Sequence, residues 1–189
     1  MIDKVDTIII GGGMAHTFDA AKGLPIGKSL CEKDKFEEAL AQLDKAKKRG
    51  VKVVLPVDLR VADRFAPDAN VQIVDVDKVP EDWEALDSGP KSSELYTEAL
   101  KGAKTVIWNG PMGVFEFDAF ANGTLAVAKA VAEATKNGAI SIVGGGDSIA
   151  ALKKTGLSDQ ISHISTGGGA TLEFLEGKEL PGVYAADDK

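Results

Sequence analysis

Three glycine-rich turns each follow a short apolar run, and a pattern of this kind can bind phosphate groups. In chain order these first, second and third glycine turns are residues 11–13, 144–146 and 167–169, and helical patterns follow all three. Glycine lets the backbone come close to an anion, and the N–H groups of a helix's first turn point toward it. Three such turns in one domain predict a polyphosphate that several helix N-termini hold together.

Two acidic residues near these turns are candidates for binding the rest of such a ligand. Asp147 follows the second glycine turn, where its carboxylate could cap the helix or meet a Mg²⁺ ion on the phosphates. Ser148 comes next and can reach a phosphate oxygen through its N–H group and its hydroxyl. Glu116 could accept hydrogen bonds from a ribose, or it could be a surface acid near a helix N-terminus. Both alternatives stay open for each acid.

Other kinds of site find little support in the sequence. His16 and His163 share no metal-ligand spacing with each other or with Cys31, the only cysteine, so we expect no zinc or catalytic role for them. The sequence contains neither a P-loop nor a Gly-x-Ser-x-Gly elbow. The first glycine turn lacks the spacing of a dinucleotide fingerprint, and no acid follows at the required distance. This conflicts with a nicotinamide-dependent dehydrogenase.

Composition and charge argue against several classes of partner. The 189 residues are enough for one large domain or two small ones, and the apolar share of 44% suits a globular core. No run of about 18 apolar residues is present, so we expect no membrane span, and the first residues lack the pattern of a signal peptide. A single cysteine suits a reducing cytoplasm. The net charge of −7 argues against a nucleic-acid surface, although helix N-termini and Mg²⁺ can attract phosphates locally.

The elements that would position these residues alternate along the chain. Apolar runs predict strands at 5–10, 51–56, 71–76, 105–108, 140–143 and 161–165. Helices are predicted at 33–49, 92–101, 119–136, 147–154 and 171–176, most of them ending at a glycine. Ser92 or Ser93 is the predicted cap of the second of these helices. Residues 77–90 lack periodicity and are interpreted as a loop, either a plain connection or a wall of the site. Lys153 and Lys154 lie at a helix C-terminus, which favours cations anyway, and we assign them no function.

This alternation predicts the fold and the place of the site. Strands that are apolar at nearly every position are typical of a sheet buried on both faces. Successive strand–helix–strand units imply an α/β fold with three layers, in which helices cover both faces of a mainly parallel, Rossmann-like sheet. Ligands of such sheets bind beyond the carboxyl ends of the strands. All three glycine turns fall there, so this edge is the predicted binding site.

Several segments resemble the carboxyl-terminal, nucleotide-binding domain of the phosphoglycerate kinase family. They occur in the family's order and are residues 9–15 (IIGGGMA), 55–58 (LPVD), 108–116 (WNGPMGVFE), 144–148 (GGGDS), 165–170 (STGGGA) and 175–183 (LEGKELPGV). The segments at 108–116 and 165–170 are highly specific. Because the resemblance covers nearly the whole chain, residues 1–189 are assigned to one domain of this kind.

The resemblance also implies which part of a nucleotide each residue would contact. The adenine and the sugar would contact Gly12, Gly13, Leu86, Asn109, Pro111, Val114 and, at the ribose, Glu116. The phosphates would meet Gly145, Gly146, Asp147 and Ser148, with Asp147 toward Mg²⁺. The phosphoryl group in transit would face the backbone N–H groups of Gly167, Gly168 and Gly169. Such a set suits phosphoryl transfer, which depends on positioning and charge neutralisation.

The family's enzymes pass a phosphoryl group between 1,3-bisphosphoglycerate and Mg-ADP in glycolysis, which gives 3-phosphoglycerate and ATP. Their amino-terminal domain, which binds the acid substrate, has no counterpart in this sequence. The strand and the phosphate-binding lysines that open the family's second domain are also missing. The resemblance therefore implies a cytoplasmic domain fragment that is inactive or nearly so alone, and whose missing strand a complementing chain or a swapped copy could replace. The alternative is a non-catalytic module for nucleotide binding or fragment complementation.

Overall fold

The structure is a computed structural model that describes residues 2–178, and it is of the α/β class. Its strands are β1 Thr7–Ile9, β2 Lys52–Val54, β3 Asp58–Ala62, β4 Val71–Asp75, β5 Glu84–Ser88, β6 Thr105–Asn109, β7 Ile140–Gly144 and β8 His163–Ser165. Its α-helices are α1 Gly12–Ala21, α2 Phe36–Arg49, α3 Pro90–Leu100, α4 Asn122–Lys136, α5 Gly146–Thr155 and α6 Gly168–Glu176. None of these helices has the length and apolar character needed to cross a membrane. The part of the family resemblance at 179–183 lies outside the described residues.

Five of the six predicted strands form two separate parallel ladders, and the sixth, predicted at 71–76, is the antiparallel strand β4. β1 pairs with β2, and β7 lies between β6 and β8, all in parallel. Within residues 2–178 no ladder joins the two sheets, so one edge of β1 and one edge of β6 carry no partner strand there. Side chains of both sheets still belong to one hydrophobic cluster, in which Ile9 and Val54 pack with Val106 and Val143. Packing therefore connects the two sheets where hydrogen bonds do not.

A third sheet is antiparallel, and its strands β3 and β5 are missed by the sequence prediction. β3 pairs with β4 on one side and with β5 on the other. The loop predicted at 77–90 is wrong in this respect, because β5 lies within it. Apolar periodicity fails here because Asp58 and Asp87 are buried polar residues of these strands. Their carboxylates accept hydrogen bonds from the first turns of α3 and α4, which lie far away in sequence.

The helices lie close to their predicted positions. Gly50 and Gly156 adopt left-handed φ angles of 70° and 71° at the C-termini of α2 and α5, as their role as helix stops requires. The predicted serine cap of α3 is wrong, since the helix already begins at Pro90, which suits a first helical position because it has no N–H group to lose. Ser92 lies inside the first turn and donates its hydroxyl to the Asp58 carboxylate at 2.7 Å.

Candidate functional site

A cavity of about 480 Å³ lies beside the turns that follow β1 and β6. Its walls come from the start of α1, from β5 and from the loop between β6 and α4, which is residues 110–121 and is called the β6–α4 loop below. Its lining includes Gly12, Gly13, His16, Leu30, Phe65, Leu86, Asp87, Pro111, Gly113 and Val114. This volume and the mainly apolar lining are typical of small-molecule sites.

The cavity brings together most of the residues predicted to contact a base and sugar. Gly12, Gly13, Leu86, Pro111 and Val114 all line it, although they come from distant parts of the sequence. The Val114 N–H donates to the Leu86 carbonyl oxygen at 2.8 Å, which fixes the β6–α4 loop against β5. Asn109 and Glu116 are exposed and are not among the lining residues, and they lie at either side of the segment 110–115.

Sequence interpretation missed several side chains of this cavity. Leu30 and Phe65 are 77% and 59% exposed, and both line the cavity, so they leave apolar surface open beside it. Both lie between regular elements, where hydrophobic periodicity gives no signal. Residues 84–88 also belong to the lining, so the segment 77–90 contributes a wall of the site, which is one of the two alternatives that the sequence left open.

Asp87 anchors one wall of the cavity. Its carboxylate is only 3% exposed and accepts hydrogen bonds from the N–H groups of Gly123 at 3.0 Å and Ser88 at 2.9 Å. The bond from Gly123 satisfies an N–H group at the start of α4, which would otherwise lack an intrahelical partner. Burial raises the pKa of the Asp87 carboxyl to about 6, although these donors act in the opposite direction. A side chain at Gly113 would collide with this carboxylate, so glycine is needed where the β6–α4 loop crosses it.

Two further buried polar side chains lie on α1. Burial lowers the pKa of His16 to about 4, so the imidazole in the cavity wall is neutral at pH 7. Burial also raises the pKa of Asp19, one turn later, although the ammonium of Lys22 lies 3.4 Å away. Within residues 2–178 no three His, Cys, Asp or Glu side chains form a group that could hold a metal ion.

The second glycine turn joins β7 to α5. Gly145 is the N-cap of α5 and has a φ of 92°, which favours glycine. Asp147 is therefore already inside the helix, so the alternative in which it caps the helix is wrong, and its exposed carboxylate lies in the first turn of α5. Ser148 is fully buried, and its hydroxyl accepts a hydrogen bond from the Gly110 N–H at 2.6 Å. This hydroxyl thus ties the helix to the β6–α4 loop.

The third glycine turn is next to the second along the edge of the sheet. Gly144 at the end of β7 pairs with Ser165 at the end of β8, so the two turns leave neighbouring strands. Gly167 and Gly169 are exposed, and a side chain at Gly169 would meet no atom within 4 Å. Ser165 and Thr171 share a hydrogen bond of 2.7 Å between their hydroxyls, which closes this turn. Gly167 and Gly169 are therefore accessible from this side of the turn.

Residues 1–178 match the family model described as phosphoglycerate kinase. The chain belongs to the phosphoglycerate kinase family. A phosphoglycerate kinase of Synechococcus sp. (strain JA-3-3Ab) is 57% identical over 188 residues, which are 100% of this chain and 46% of that protein. One from Nostoc punctiforme is 58% identical, and the match covers 100% of this chain and 47% of the relative. The family resemblance inferred from the sequence is thereby confirmed.

Solved phosphoglycerate kinases have the same fold. The enzyme of Coxiella burnetii superposes with a TM-score of 0.91 at 49% identity, over 97% of this chain and 47% of the other. That of Pyrococcus horikoshii OT3 superposes with a TM-score of 0.74 at 35% identity, over 97% of this chain and 45% of the other. The expected α/β, Rossmann-like architecture is confirmed. The chain spans about half the length of the relatives that it matches.

Proposed function

We propose that this chain is the nucleotide-binding part of a phosphoglycerate kinase and that it binds Mg-ADP or Mg-ATP in the cavity. The observation that carries this proposal is the common lining formed by Gly12, Gly13, Leu86, Pro111 and Val114. The two glycines leave room for a flat ring, and the other three residues supply apolar surface. Such a wall suits an adenine base, because its faces are apolar and its edge can bind backbone groups.

The remaining contacts of the nucleotide follow from the positions of the turns. Asn109 would lie along the nucleoside, and the exposed carboxylate of Glu116 would bind the ribose hydroxyls. Gly145, Gly146 and Ser148 would direct backbone N–H groups from the first turn of α5 at the phosphates. The phosphoryl group in transit would face Gly167, Gly168 and Gly169, whose turn adjoins the second glycine turn.

Asp147 is the proposed ligand of Mg²⁺. Its exposed carboxylate fits this ion, which retains several waters and binds through one or two carboxylates together with substrate phosphates. When bound, the ion neutralises charge on the phosphates. The chain's own part in phosphoryl transfer is to orient the nucleotide and to direct N–H groups at the transferred group.

The proposed binding is tested by calorimetric titration of the folded chain with Mg-ADP, with NADH as the control ligand. We expect micromolar to low-millimolar binding of Mg-ADP and none of NADH. Glu116→Gln should weaken Mg-ADP binding about tenfold, since a hydrogen bond to a charged group contributes about 1.5–3 kcal/mol. Glu37→Gln is the matched control, because it removes one exposed carboxylate on α2. Absence of Mg-ADP binding, or preference for NADH, contradicts the proposal.

For the whole enzyme we propose transfer between 1,3-bisphosphoglycerate and Mg-ADP, and for this chain alone we expect almost no turnover. The chain spans about half the length of its relatives. We expect the acid-substrate site in the amino-terminal domain that the family resemblance implies for the whole enzyme. Closure of two lobes around the reacting groups is what excludes water in such a reaction. A coupled assay measures this directly. Turnover within a few-fold of an intact relative would show that the chain contains a complete active site.

Fragment complementation is a second candidate function. It is favoured by the two parallel sheets, which share a core but have no ladder between them within residues 2–178. An added strand would satisfy backbone groups at an unpaired edge. Mixing the chain with the amino-terminal half of an intact relative should then restore turnover and form a complex that sedimentation detects. No association at micromolar concentrations would argue against this function.

A further inference from the structure

Both ends of α5 contact the β6–α4 loop. At the first turn of the helix, the Ser148 hydroxyl accepts a hydrogen bond from the Gly110 N–H at 2.6 Å. In the last turn, Lys154 Nζ donates to the carbonyl oxygens of Phe115 at 2.8 Å and Glu116 at 3.3 Å. The loop is therefore held at its first residue and again at 115–116. The two attachment residues are six positions apart on a stiff helix, a rise of about 9 Å, so the helix fixes the separation of the two attachment points.

Lys154 has contacts that its position at a helix C-terminus does not require. A lysine in a last turn is favourable because of the helix dipole alone, and within residues 2–178 the side chain of Lys153 forms no hydrogen bond or ion pair. Lys154 instead reaches the adjacent loop, where its ammonium also lies 2.7 Å from the Asp118 carboxylate. That carboxylate is 94% exposed, and an ion pair so open to water contributes little. The two carbonyl bonds are the contacts that can determine the loop's conformation, because a charged donor strengthens them.

We propose that Lys154 is a positioning residue that sets the direction of the Glu116 side chain. It does so by fixing the carbonyl groups on both sides of the Glu116 N–Cα bond. The inference rests on the proposed function, in which Glu116 binds the ribose and the opposite end of α5 binds the phosphates. The same helix then fixes the distance between the ribose-binding end and the phosphate-binding end of the nucleotide site. Loss of Lys154 should therefore weaken contacts to the nucleoside and leave contacts to the phosphates unchanged.

The test compares Mg-ADP with Mg-pyrophosphate, which carries the phosphates without the nucleoside. Lys154→Met keeps the aliphatic stem and removes the donor, and we expect it to weaken Mg-ADP binding about three- to tenfold. Binding of Mg-pyrophosphate should stay within twofold of the parent chain. Lys153→Met is the matched control and should change neither ligand's affinity. Lys154→Arg, which keeps a cationic donor, should recover part of the Mg-ADP affinity.

A double-mutant cycle separates positioning from a general structural effect. If Lys154 acts through Glu116, then Lys154→Met should cause almost no further loss in the Glu116→Gln background. Independent, multiplying losses would overturn the inference, and so would equal losses for Mg-ADP and Mg-pyrophosphate or an unchanged affinity in Lys154→Met. Failure of the parent chain to bind Mg-ADP is a different outcome, because it overturns the proposed function itself. Circular dichroism and thermal unfolding of each variant establish that folded proteins are compared.

Discussion

Gly113 in the β6–α4 loop and Gly169 in the first turn of α6 both follow a parallel strand, but their surroundings are opposite. A side chain at Gly113 would collide with the Asp87 carboxylate and lie 2.7 Å from the Leu86 carbonyl oxygen. At Gly169 it would meet no atom within 4 Å. The cavity side is therefore closely packed against β5, whereas the turn proposed for the phosphoryl group is open. The same residue type permits close packing in one place and leaves the backbone accessible in the other.

This contrast reflects two ways of recognising parts of one ligand. A base is bound by apolar walls whose positions are fixed, and the β6–α4 loop is held by the Val114 N–H group, by Lys154 and by Ser148. A phosphate is bound by backbone N–H groups, which need to be free of other partners and close to the surface. Substitution on the packed side should accordingly lower the stability of the fold, whereas substitution on the open side should leave it unchanged.

The largest effect on stability is expected for Gly113→Ala. The added methyl group would press on a buried carboxylate and on backbone, neither of which can move aside easily, so the free energy of unfolding should fall by about 3 kcal/mol. Urea denaturation measures this change. Gly169→Ala is the control on the open side. Equal stability of the two variants would remove the distinction between a packed and an open wall.

The pH dependence of stability can be used to test the burial of two cavity side chains. The pKa of Asp87, about 6, lies above its ordinary value of 3.8, so its stabilising contribution is complete below about pH 4 and is lost as the pH rises through 6. The pKa of His16, about 4, lies below its ordinary value of 6.5, so its contribution is complete above pH 6.5 and is lost as the pH falls through 4. The two effects oppose each other in the parent chain.

Single substitutions should expose each of these effects. In Asp87→Asn the free energy of unfolding should rise with pH between about 4 and 6.5, by roughly 2 kcal/mol more than in the parent chain. In His16→Gln it should fall over the same range. Denaturant titrations at several pH values measure both slopes. Parallel stability curves for all three proteins would mean that neither group is desolvated in the folded chain.

An intermediate effect is expected at Gly145, which belongs to the phosphate side but is also sterically restricted. Gly145→Ala forces a side chain onto a backbone with φ 92° and ψ 141°, a conformation that is rare outside glycine, at a cost of about 1–3 kcal/mol, and brings it to within 2.6 Å of the Asn109 side-chain oxygen. Mg-ADP affinity should fall along with stability. Gly156→Ala is a closely matched control, because that residue ends the same helix at a φ of 71° with no atom near its added Cβ. It should lose less stability than Gly145→Ala, because its backbone is left-handed but its surroundings are open, and it should keep its affinity. Loss of affinity in both variants would indicate strain alone.

The smallest effect is expected for Gly169→Ala alone. The residue lies at the start of α6 and the methyl group has room, so stability should stay the same or rise by up to about 1 kcal/mol through helix propensity. Affinity for Mg-ADP should remain within twofold, since this turn is proposed to face the transferred group. A destabilised Gly169→Ala would contradict the open surroundings of this turn.

Local sequence signals predicted the parallel strands, most helices and the three glycine turns. They succeeded because apolar runs and glycine stops act over a few residues. Two strands of the antiparallel sheet, β3 and β5, were missed because Asp58 and Asp87 are stable in the core only through N–H groups of distant helices. Asp147 was assigned as a possible N-cap because the sequence does not reveal that Gly145 already occupies that position.

The site was predictable where glycine or a family motif marked it, and much less so elsewhere. Leu30 and Phe65 carry no periodicity, because exposed apolar residues between elements follow none. Lys154 was given no function because the helix dipole explains a terminal lysine equally well without any contact. Its bonds to 115–116 join segments that are far apart along the chain, and only the folded structure brings them together.

The separation of the parallel strands into two ladders has a consequence for how the chain unfolds. Only side-chain packing of residues such as Ile9 and Val106 couples the sheets within the described residues, so each could open without breaking the other's backbone hydrogen bonds. The proposed nucleotide would contact Gly12 after β1 and Gly145 after β7, one turn from each sheet. Because the ligand would contact both sheets, its binding would couple their unfolding. Two overlapping unfolding transitions would then merge into one sharper transition as the ligand is added.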